Sequence, residues 1–413
     1  MNSMTLSNIV EQGFCSGCGA CAGLLGPSKV RMKLSQQGHL RPSFSGGLDT
    51  KDSDLVKSVC PGIRVEHRIK PIDYHSIWGP IKRVRSGQAT DVHIRREGSS
   101  GGLVSALALY LLDSKQVDFV VQIAASVENP LINEVQMSMT RADVLRAAGS
   151  RYAPSAPLDR IDEFLSTGQR FAIVGKPCDI AAIRNLALVD PRVDRQIPFL
   201  LSFMCAGVPS IVGTYELLDE LGADSSSLKS FRYRGAGWPG KTRSVELSGR
   251  VSEMDYSKSW GTILNRHLQF RCKICPDGTG EFADVICADA WYSKNGSPDF
   301  EEREGRSLLI TRTDEGESLV QEALRMGAIE ASDFSVKDIG PIQPYQLNRK
   351  QVVLGRILAT WLRTGWAPRY RGLGLFKASL SASPIHWLRN AIGAYRRAGE
   401  KERVTDSSDI SCL

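Results

Sequence analysis

No uninterrupted apolar run in the 413 residues is long enough to cross a bilayer, so a transmembrane helix is not expected. Met1 to Gln12 lack a positively charged stretch followed by an apolar core. No signal peptide is therefore expected, and the expected location is cytoplasmic and reducing. Acidic residues are scarce towards the end: Arg349 to Arg403 contain twelve Lys or Arg and only Glu400 and Glu402 as acids. That local balance of +10 exceeds the net +7 of the whole chain, so the remainder is slightly acidic. No nucleic-acid recognition motif accompanies the basic stretch, which argues against nucleic acid as a partner. Ten cysteines are too few for a secreted disulfide scaffold but many for a cytosolic enzyme, and metal binding is the economical reading. The length points to two or three domains with a large core.

The cysteines are not scattered. Cys15-Ser16-Gly17-Cys18-Gly19-Ala20-Cys21 spaces three thiols two residues apart, with glycines between them. This spacing wraps three thiolates around one face of an iron–sulfur cube, and Cys60-Pro61 fits the remote fourth place. A disulfide knot would need an oxidising compartment, and zinc sites usually pair two C-x2-C halves. Residues 1–70 are therefore expected to form a small ferredoxin-like module with one 4Fe-4S cluster. Within it Val30 to Leu34 alternates as a strand does, and Gln37-Gly38-His39 signals a turn. Beyond a linker containing Pro71, an α/β core is expected in two parts, 71–155 and 156–345.

In that core Ser99-Ser100-Gly101-Gly102 feeds an apolar helix beginning at Leu103. Such a loop suits an anion at a helix N-terminus, or equally a plain cap with Ser as N-cap and Gly for a tight turn. Val117 to Ala124 reads as a buried strand, and Gly149-Ser150-Arg151-Tyr152 is a polar loop with a cation and an aromatic that could face a ligand. Two strand–turn–helix units follow: Phe171 to Val174 with Gly175-Lys176-Pro177-Cys178, then Phe199 to Phe203 with Cys205. Both cysteines would lie at the carboxyl edge of a sheet, where ligands of α/β folds gather. Each alone is also readable as a small buried hydrophobe. Gly175-Lys176 is not a phosphate-binding P-loop, because the spacing and the following Ser or Thr are missing. Gly235 to Gly240 matches G-x-G-x-x-G formally, but Pro239 sits where the dinucleotide-binding helix should be hydrogen-bonding. A substrate or cofactor loop flanked by Arg232, Arg234 and Lys241 is the better reading. Cys272-Lys273-Ile274-Cys275 is a metal half-site, and joined to Cys178 and Cys205 it completes a second four-thiolate set. Cys287 and then Cys412 are reserves for that set. Asp284 and Asp289 lie in the strand running to Trp291, and Asp289 is the candidate catalytic or cofactor carboxylate, with a turn or cap as its plain alternative.

The order of these motifs, from Cys-x2-Cys-x2-Cys through Ser-Ser-Gly-Gly, Gly-Ser-Arg-Tyr, Gly-Lys-Pro-Cys-Asp, Tyr-Arg-Gly-Ala-Gly-Trp-Pro-Gly and Cys-x2-Cys-Pro-Asp to Asp-Ala-Trp, resembles the coenzyme F420 hydrogenase/dehydrogenase beta-subunit family. It is similar also to the plant and cyanobacterial reductases of chlorophyll intermediates in that family, such as 7-hydroxymethyl chlorophyll a reductase. The resemblance covers about residues 14 to 330. It implies an iron–sulfur flavoprotein with FAD, whose cofactor-binding residues would fall on Ser99, Ser100, Gly101, Gly102, Ser150, Arg151, Tyr152, Gly175 and Lys176. It also supports Cys178, Cys272 and Cys275 as cluster ligands. Lys176 departs from the small polar residue common at its place. The implied chemistry passes electrons from a redox donor, such as ferredoxin or partner subunits, to an organic substrate. A subunit exchanging hydride with diffusible coenzyme F420, or a non-enzymatic electron carrier, are the alternatives.

The segment 346–413 lies outside the resemblance and is expected to be a basic helical tail. Trp361, Trp366 and Trp387 are interleaved there with arginines. That pattern suits peripheral contact with an anionic membrane surface or an acidic partner, and equally helices packed on the core.

Overall fold

The computed structural model describes residues 5–67, 74–294 and 297–400; Pro71 of the expected linker, Cys412 and the polar end from Thr405 lie outside them. The amino-terminal part contains helix α1 (Ala20–Leu25), an antiparallel hairpin of β1 (Val30–Leu34) and β2 (Leu40–Phe44), and helix α2 (Thr50–Val59). The expected turn closes the hairpin: Gly38 takes φ +74° and its N–H donates to the Ser35 carbonyl at 2.8 Å. Asp49 caps α2 by accepting from the Asp52 N–H at 2.8 Å, and the helix stops at Cys60, which is extended and followed by Pro61.

The central layer follows in chain order: β3 (Arg83–Ala89), α3 (Leu103–Asp113), β4 (Phe119–Ala125), β5 (Asn133–Ser138), β6 (Phe171–Gly175), α4 (Pro177–Leu186), β7 (Phe199–Phe203) and α5 (Ile211–Leu221). A separate three-stranded antiparallel sheet, β8 (Leu228–Arg232), β9 (Thr242–Glu246) and β10 (Val251–Met254), intervenes. Then β11 (Val285–Asp289), β12 (Ser307–Thr311), α6 (Asp314–Arg325) and β13 (Ile329–Asp333) return to the main sheet. Its order is β13-β3-β12-β11-β7-β6-β4-β5. The four strands β4, β6, β7 and β11 run parallel, and the outer ones are antiparallel. Strand β3, from early in the chain, lies between two strands that come more than 200 residues later, so residues 74–155 and 156–345 build one mixed sheet.

Near-continuous apolar runs such as Phe199-Leu200-Leu201 suit a sheet covered on both faces. Successive side chains supply opposite cores: Leu200 and Ile286 belong to one, Phe199, Leu201 and Cys287 to the other. Each such Leu or Ile contributes about 1.5–3 kcal/mol by leaving water. The parallel strands end on a common edge, with Gly175 and Asp289 the last residues of β6 and β11.

Three helices end the described chain: α7 (Pro344–Thr364), α8 (Leu375–Ser379) and α9 (Pro384–Arg397). Between α7 and α8 a short strand, Arg369–Arg371, pairs in parallel with Arg64–Glu66 of the amino-terminal part. Gln346, Arg349 and Lys350 on the first turns of α7 are buried, so the basic stretch starts inside the protein and only later reaches its surface.

Candidate functional site

Cys15, Cys18, Cys21 and Cys60 line one cavity, together with Leu6, Ile9, Val56 and other apolar side chains and with no charged residue. Gly17 and Gly19 take φ +73° and +85°, which lets the backbone coil between the cysteines. At Gly19 a side chain would also press on the backbone, since a Cβ would stand 2.8 Å from the Asp159 nitrogen. Cys21 lies in the first turn of α1, and Cys60 closes α2, donating its N–H to the Val56 carbonyl at 2.9 Å. Burial, then the neighbouring Asp179 and cysteines, pushes the Cys18 thiol far up; burial and the three other cysteines do the same for Cys21. Burial and Cys15 push Cys60 up to about 12. Four thiolates in such a pocket repel one another and lack water, so the set ionises only around a compensating cationic centre.

A second cavity is lined by Cys178, Cys205, Cys272 and Cys275, with Ser16, Gln269, Arg271, Asp277 and Arg349. Pro177 is the first residue of α4, so Cys178, which the sequence placed in the turn before the helix, sits within its first turn. Cys205 follows β7, and its N–H donates to the Gly278 carbonyl at 2.8 Å. Cys272 lies within a short helix, Phe270–Lys273, and Cys275 in the turn after it. Arg349 binds three of the four cysteines through their carbonyls, donating to Cys205 at 2.8 Å, Cys272 at 2.7 Å and Cys275 at 3.2 Å. The Cys272 sulfur accepts from the Val208 N–H at 3.3 Å and from Gln269 Nε2 at 3.4 Å. Burial raises Cys178 well above its ordinary value and carries Cys205 to about 12.

The two cavities share a wall. Ser16 lines both. Gln269 spans them, because the Nε2 that approaches Cys272 also donates to the Ser16 carbonyl at 3.2 Å, while its Oε1 accepts from Arg41 at 2.9 Å. Arg271, also in the wall of the second cavity, donates to the Pro61 carbonyl beside Cys60 at 3.0 Å. Among the described residues no three His, Cys, Asp or Glu side chains converge on a position for a single metal ion. Two all-thiol sets of four match instead the donor set of polynuclear clusters. Cys287 lines neither cavity; it is buried in the core on the α3 face, and burial alone carries its thiol to about 12.

The other candidate residues meet above the same sheet edge. Ser99 Oγ accepts from the Ser150 N–H, the Ser99 carbonyl accepts from Arg234, and Arg234 donates to both oxygens of Asp289 at 3.0 and 2.8 Å. Trp238 Nε1 donates to Asp289 at 2.7 Å, and Tyr152 OH lies 3.4 Å from Arg234. Arg234 lies beside two stacked aromatic rings, 4.6 Å from the centroid of Tyr256 and 5.3 Å from that of Trp291, the rings themselves 5.8 Å apart. Lys176 is buried and bonds Asp179 at 2.8 Å and Ser155 Oγ at 2.9 Å; burial alone would lower its pKa, but Asp179 holds it raised and charged. The guanidinium of Arg151 is taken up by Asn133 Oδ1 at 2.7 Å and the carbonyls of Pro130 at 2.7 Å and Phe231 at 3.2 Å.

Two sequence readings are corrected here. No serine caps α3: Gly102, at φ +75°, holds the cap position without a side-chain bond. The close approach at Gly101 is made by the protein itself, since a Cβ there would stand 2.6 Å from the Gly87 carbonyl, and the Gly101 N–H already donates to Ser307 Oγ at 2.8 Å. Ser100 Oγ likewise donates to the Arg306 carbonyl at 2.9 Å. The sequence reading missed Gln269 and Arg349 as site residues. Arg349 bonds only backbone carbonyls there, which leave no side-chain pattern to read, whereas Gln269 stands three residues before Cys272, a spacing that could have marked it.

Residues 84–161 match the family described as coenzyme F420 hydrogenase/dehydrogenase, beta subunit N-term, and residues 168–337 match the model for the C terminus of the same beta subunit. The coenzyme F420 hydrogenase subunit beta of Methanococcus voltae is 29% identical over 304 residues, covering 68% of this chain and 97% of that protein. The coenzyme F420-dependent sulfite reductase of Methanocaldococcus jannaschii is 25% identical over 395 residues, covering 91% of this chain but 56% of that protein. Among solved structures, a chain of the F420-reducing NiFe hydrogenase complex from Methanosarcina barkeri shares the fold, with a TM-score of 0.51 and 21% identity over 71% of this chain and 97% of that one.

Proposed function

The chain belongs to the coenzyme F420 hydrogenase/dehydrogenase beta-subunit family, and from that premise we propose that it is an iron–sulfur flavoprotein oxidoreductase that reduces an organic substrate. One 4Fe-4S cluster is held by Cys15, Cys18, Cys21 and Cys60, and a second by Cys178, Cys205, Cys272 and Cys275. The observation that carries this reading is the wall between the two thiol sets, where Ser16 faces both and Gln269 is bonded across. FAD is assigned to the sheet edge where Ser99, Ser150, Tyr152, Arg234 and Asp289 meet, with Lys176 as a buried cation at the start of α4 for its phosphates. The donor chemistry fits: hydroxyls, aromatic rings and cations gather there, with Asp289 and Asp179 each paired to a cation.

The clusters supply one-electron steps, and a flavin joins these to two-electron chemistry. The protein's own contribution is charge and position. Arg349 and Arg271 bring two buried cations to the second set of thiols, beside Asp277, and Arg271 also reaches the first set through the Pro61 carbonyl next to Cys60. The N–H groups of Gln269 and Val208 point at the Cys272 sulfur and favour the more electron-rich state. A cluster at the second set would take up an electron more readily for these contacts, and one at the first set would gain likewise from the Gly17 N–H directed at the Cys15 sulfur at 3.4 Å. Asp289 is a positioning residue in this reading: with Arg234 and Trp238 it fixes the loop 235–240 over the sheet edge.

The names of the relatives favour a second reading, a subunit that exchanges hydride with coenzyme F420. Anaerobic purification followed by iron, sulfide and flavin assays tests the first reading, with about eight irons per chain and one FAD expected. About four irons would remove the second cluster, and absence of flavin would remove the FAD assignment. Rapid bleaching of added coenzyme F420 at its own absorbance band, under a reductant, would favour the second reading.

A further inference from the structure

Nine of the 21 large apolar side chains exposed among the described residues lie between Leu358 and Tyr395, in the part of the chain beyond both family matches. The concentration calls for an occupant, and the geometry of the final helices says where it sits. Helices α7 and α9 pack side by side and run in the same direction. Trp387 lies against Gly355, where a Cβ would stand 2.7 Å from its ring; Ala359 clusters with Ala391 and Ala394; and Arg363 lies 5.5 Å from the Tyr395 ring centroid. Leu358 precedes the contact residue Ala359, whereas Leu388, Ile392 and Tyr395 follow the contact residues Trp387, Ala391 and Ala394.

In two parallel α-helices, positions one before the contact row on one helix and one after it on the other turn to the same side of the pair. Leu358, Leu362, Leu388, Ile392 and Tyr395 therefore form one face, and all five are exposed. The opposite side is identified as the inner one by Arg356 and Asn390, which bond each other at 3.1 Å, while Arg356 also donates to the Lys273 carbonyl at 3.0 Å. One residue beyond Leu388 and Tyr395 come Arg389 and Arg396, exposed cations at the outer margin of the apolar face. Over residues 344–400 the exposed charges are seven Lys or Arg and one acid, Glu400.

We propose that this face of α7 and α9 docks on an anionic lipid surface, the apolar side chains entering the interface and the marginal arginines meeting the headgroups. Among the described residues no helix is long and apolar enough to cross a membrane, so the contact is with one leaflet. The charge balance demands an anionic occupant. An apolar face spread over two helices enters a fluid interface without needing the matching surface that a protein partner would have to supply. The proposal does not depend on the cofactors proposed above.

The test is sedimentation of the full chain with vesicles of phosphatidylcholine containing a quarter phosphatidylglycerol, and with phosphatidylcholine alone, at low and high salt. Binding to the anionic vesicles, weakened by salt, is expected. Arg389→Gln with Arg396→Gln should weaken it about 30-fold at low salt. Leu388→Ser with Ile392→Ser should abolish it at either salt while iron content and the circular dichroism spectrum stay unchanged. No sedimentation above the vesicle-free control, or binding that the Leu388/Ile392 variant retains, would overturn the proposal. So would light scattering that shows a wild-type dimer turned monomeric by that variant, since the occupant would then be a second copy.

Discussion

Replacing Arg349 by Met removes the one side chain that ties three of the four cysteines of the second set together. Its bond to the Cys205 carbonyl has a substitute, because Gln346 Nε2 also donates there at 3.1 Å. The carbonyls of Cys272 and Cys275 lose a charged donor at 2.7 and 3.2 Å in a buried setting. Leaving two buried acceptors without that partner costs about 1–3 kcal/mol each, so a loss on the order of 4 kcal/mol is expected. The loss is local, and the cysteine backbone is what it loosens. Iron analysis of the anaerobically purified variant should therefore fall from about eight to about four per chain, with the remaining cluster retaining the spectrum of the first site. Arg349→Lys should rescue it only partly, since one ammonium cannot reproduce the planar fork that reaches three carbonyls. Full iron content in Arg349→Met, together with an unchanged unfolding midpoint, would refute the reasoning, because it would mean that the cysteine loops hold their geometry without this bracket.

Three further outcomes are expected. Cys18→Ala should lose about four irons and leave the second site loaded, read by iron assay and by electron paramagnetic resonance of the reduced protein. Cys205→Ala should lose iron whereas Cys287→Ala should not, because Cys287 is buried in the core on the other face of β11; the reverse pattern would exchange their roles. Burial pushes Glu317 up, but hydrogen bonds from Arg85, Gln321 and Thr311 outweigh it and hold the carboxyl at about 2. A carboxyl lowered on folding stabilises above its unfolded value and loses that contribution as pH falls towards the folded one. Stability should therefore drop between about pH 4.5 and 2, and Glu317→Gln should flatten that part of the acid-unfolding curve measured by circular dichroism.

The strands that carry the site were readable because their burial leaves a plain signature. Phe171 to Gly175 and Phe199 to Phe203 are short apolar runs ended by turn residues, and they are adjacent parallel strands with their cysteines at the same edge. The first thiol set was likewise written in spacing, whereas in the second only Cys272 and Cys275 were, Cys178 and Cys205 being isolated in the sequence. What the sequence hid is long-range and directed at backbone. Arg349 reaches carbonyls 74 to 144 residues away, and Gly101 is small because strand β3 passes against it, which composition cannot tell from room for a ligand. The same holds for the basic tail. Charge counting sees Arg349 and Arg389 alike, although one is buried beside cysteines and the other is exposed.

The pairing of Arg369–Arg371 with Arg64–Glu66 sets a timetable for biosynthesis. Its bonds run from the Arg369 N–H to the Ile63 carbonyl at 2.8 Å and from the His67 N–H to the Arg371 carbonyl at 3.0 Å, and Trp366 packs 5.0 Å from Phe14, the residue before the first cysteine. The amino-terminal thiols thus leave the ribosome some 300 residues before the strand and the ring that enclose them. At ordinary elongation rates of 5–20 residues per second that is about 15–60 s. For that interval the nascent chain presents four sulfurs from an unfinished shell, and the cluster proposed for them would have to be inserted either before the last sixth of the polypeptide closes over them or through that closed shell.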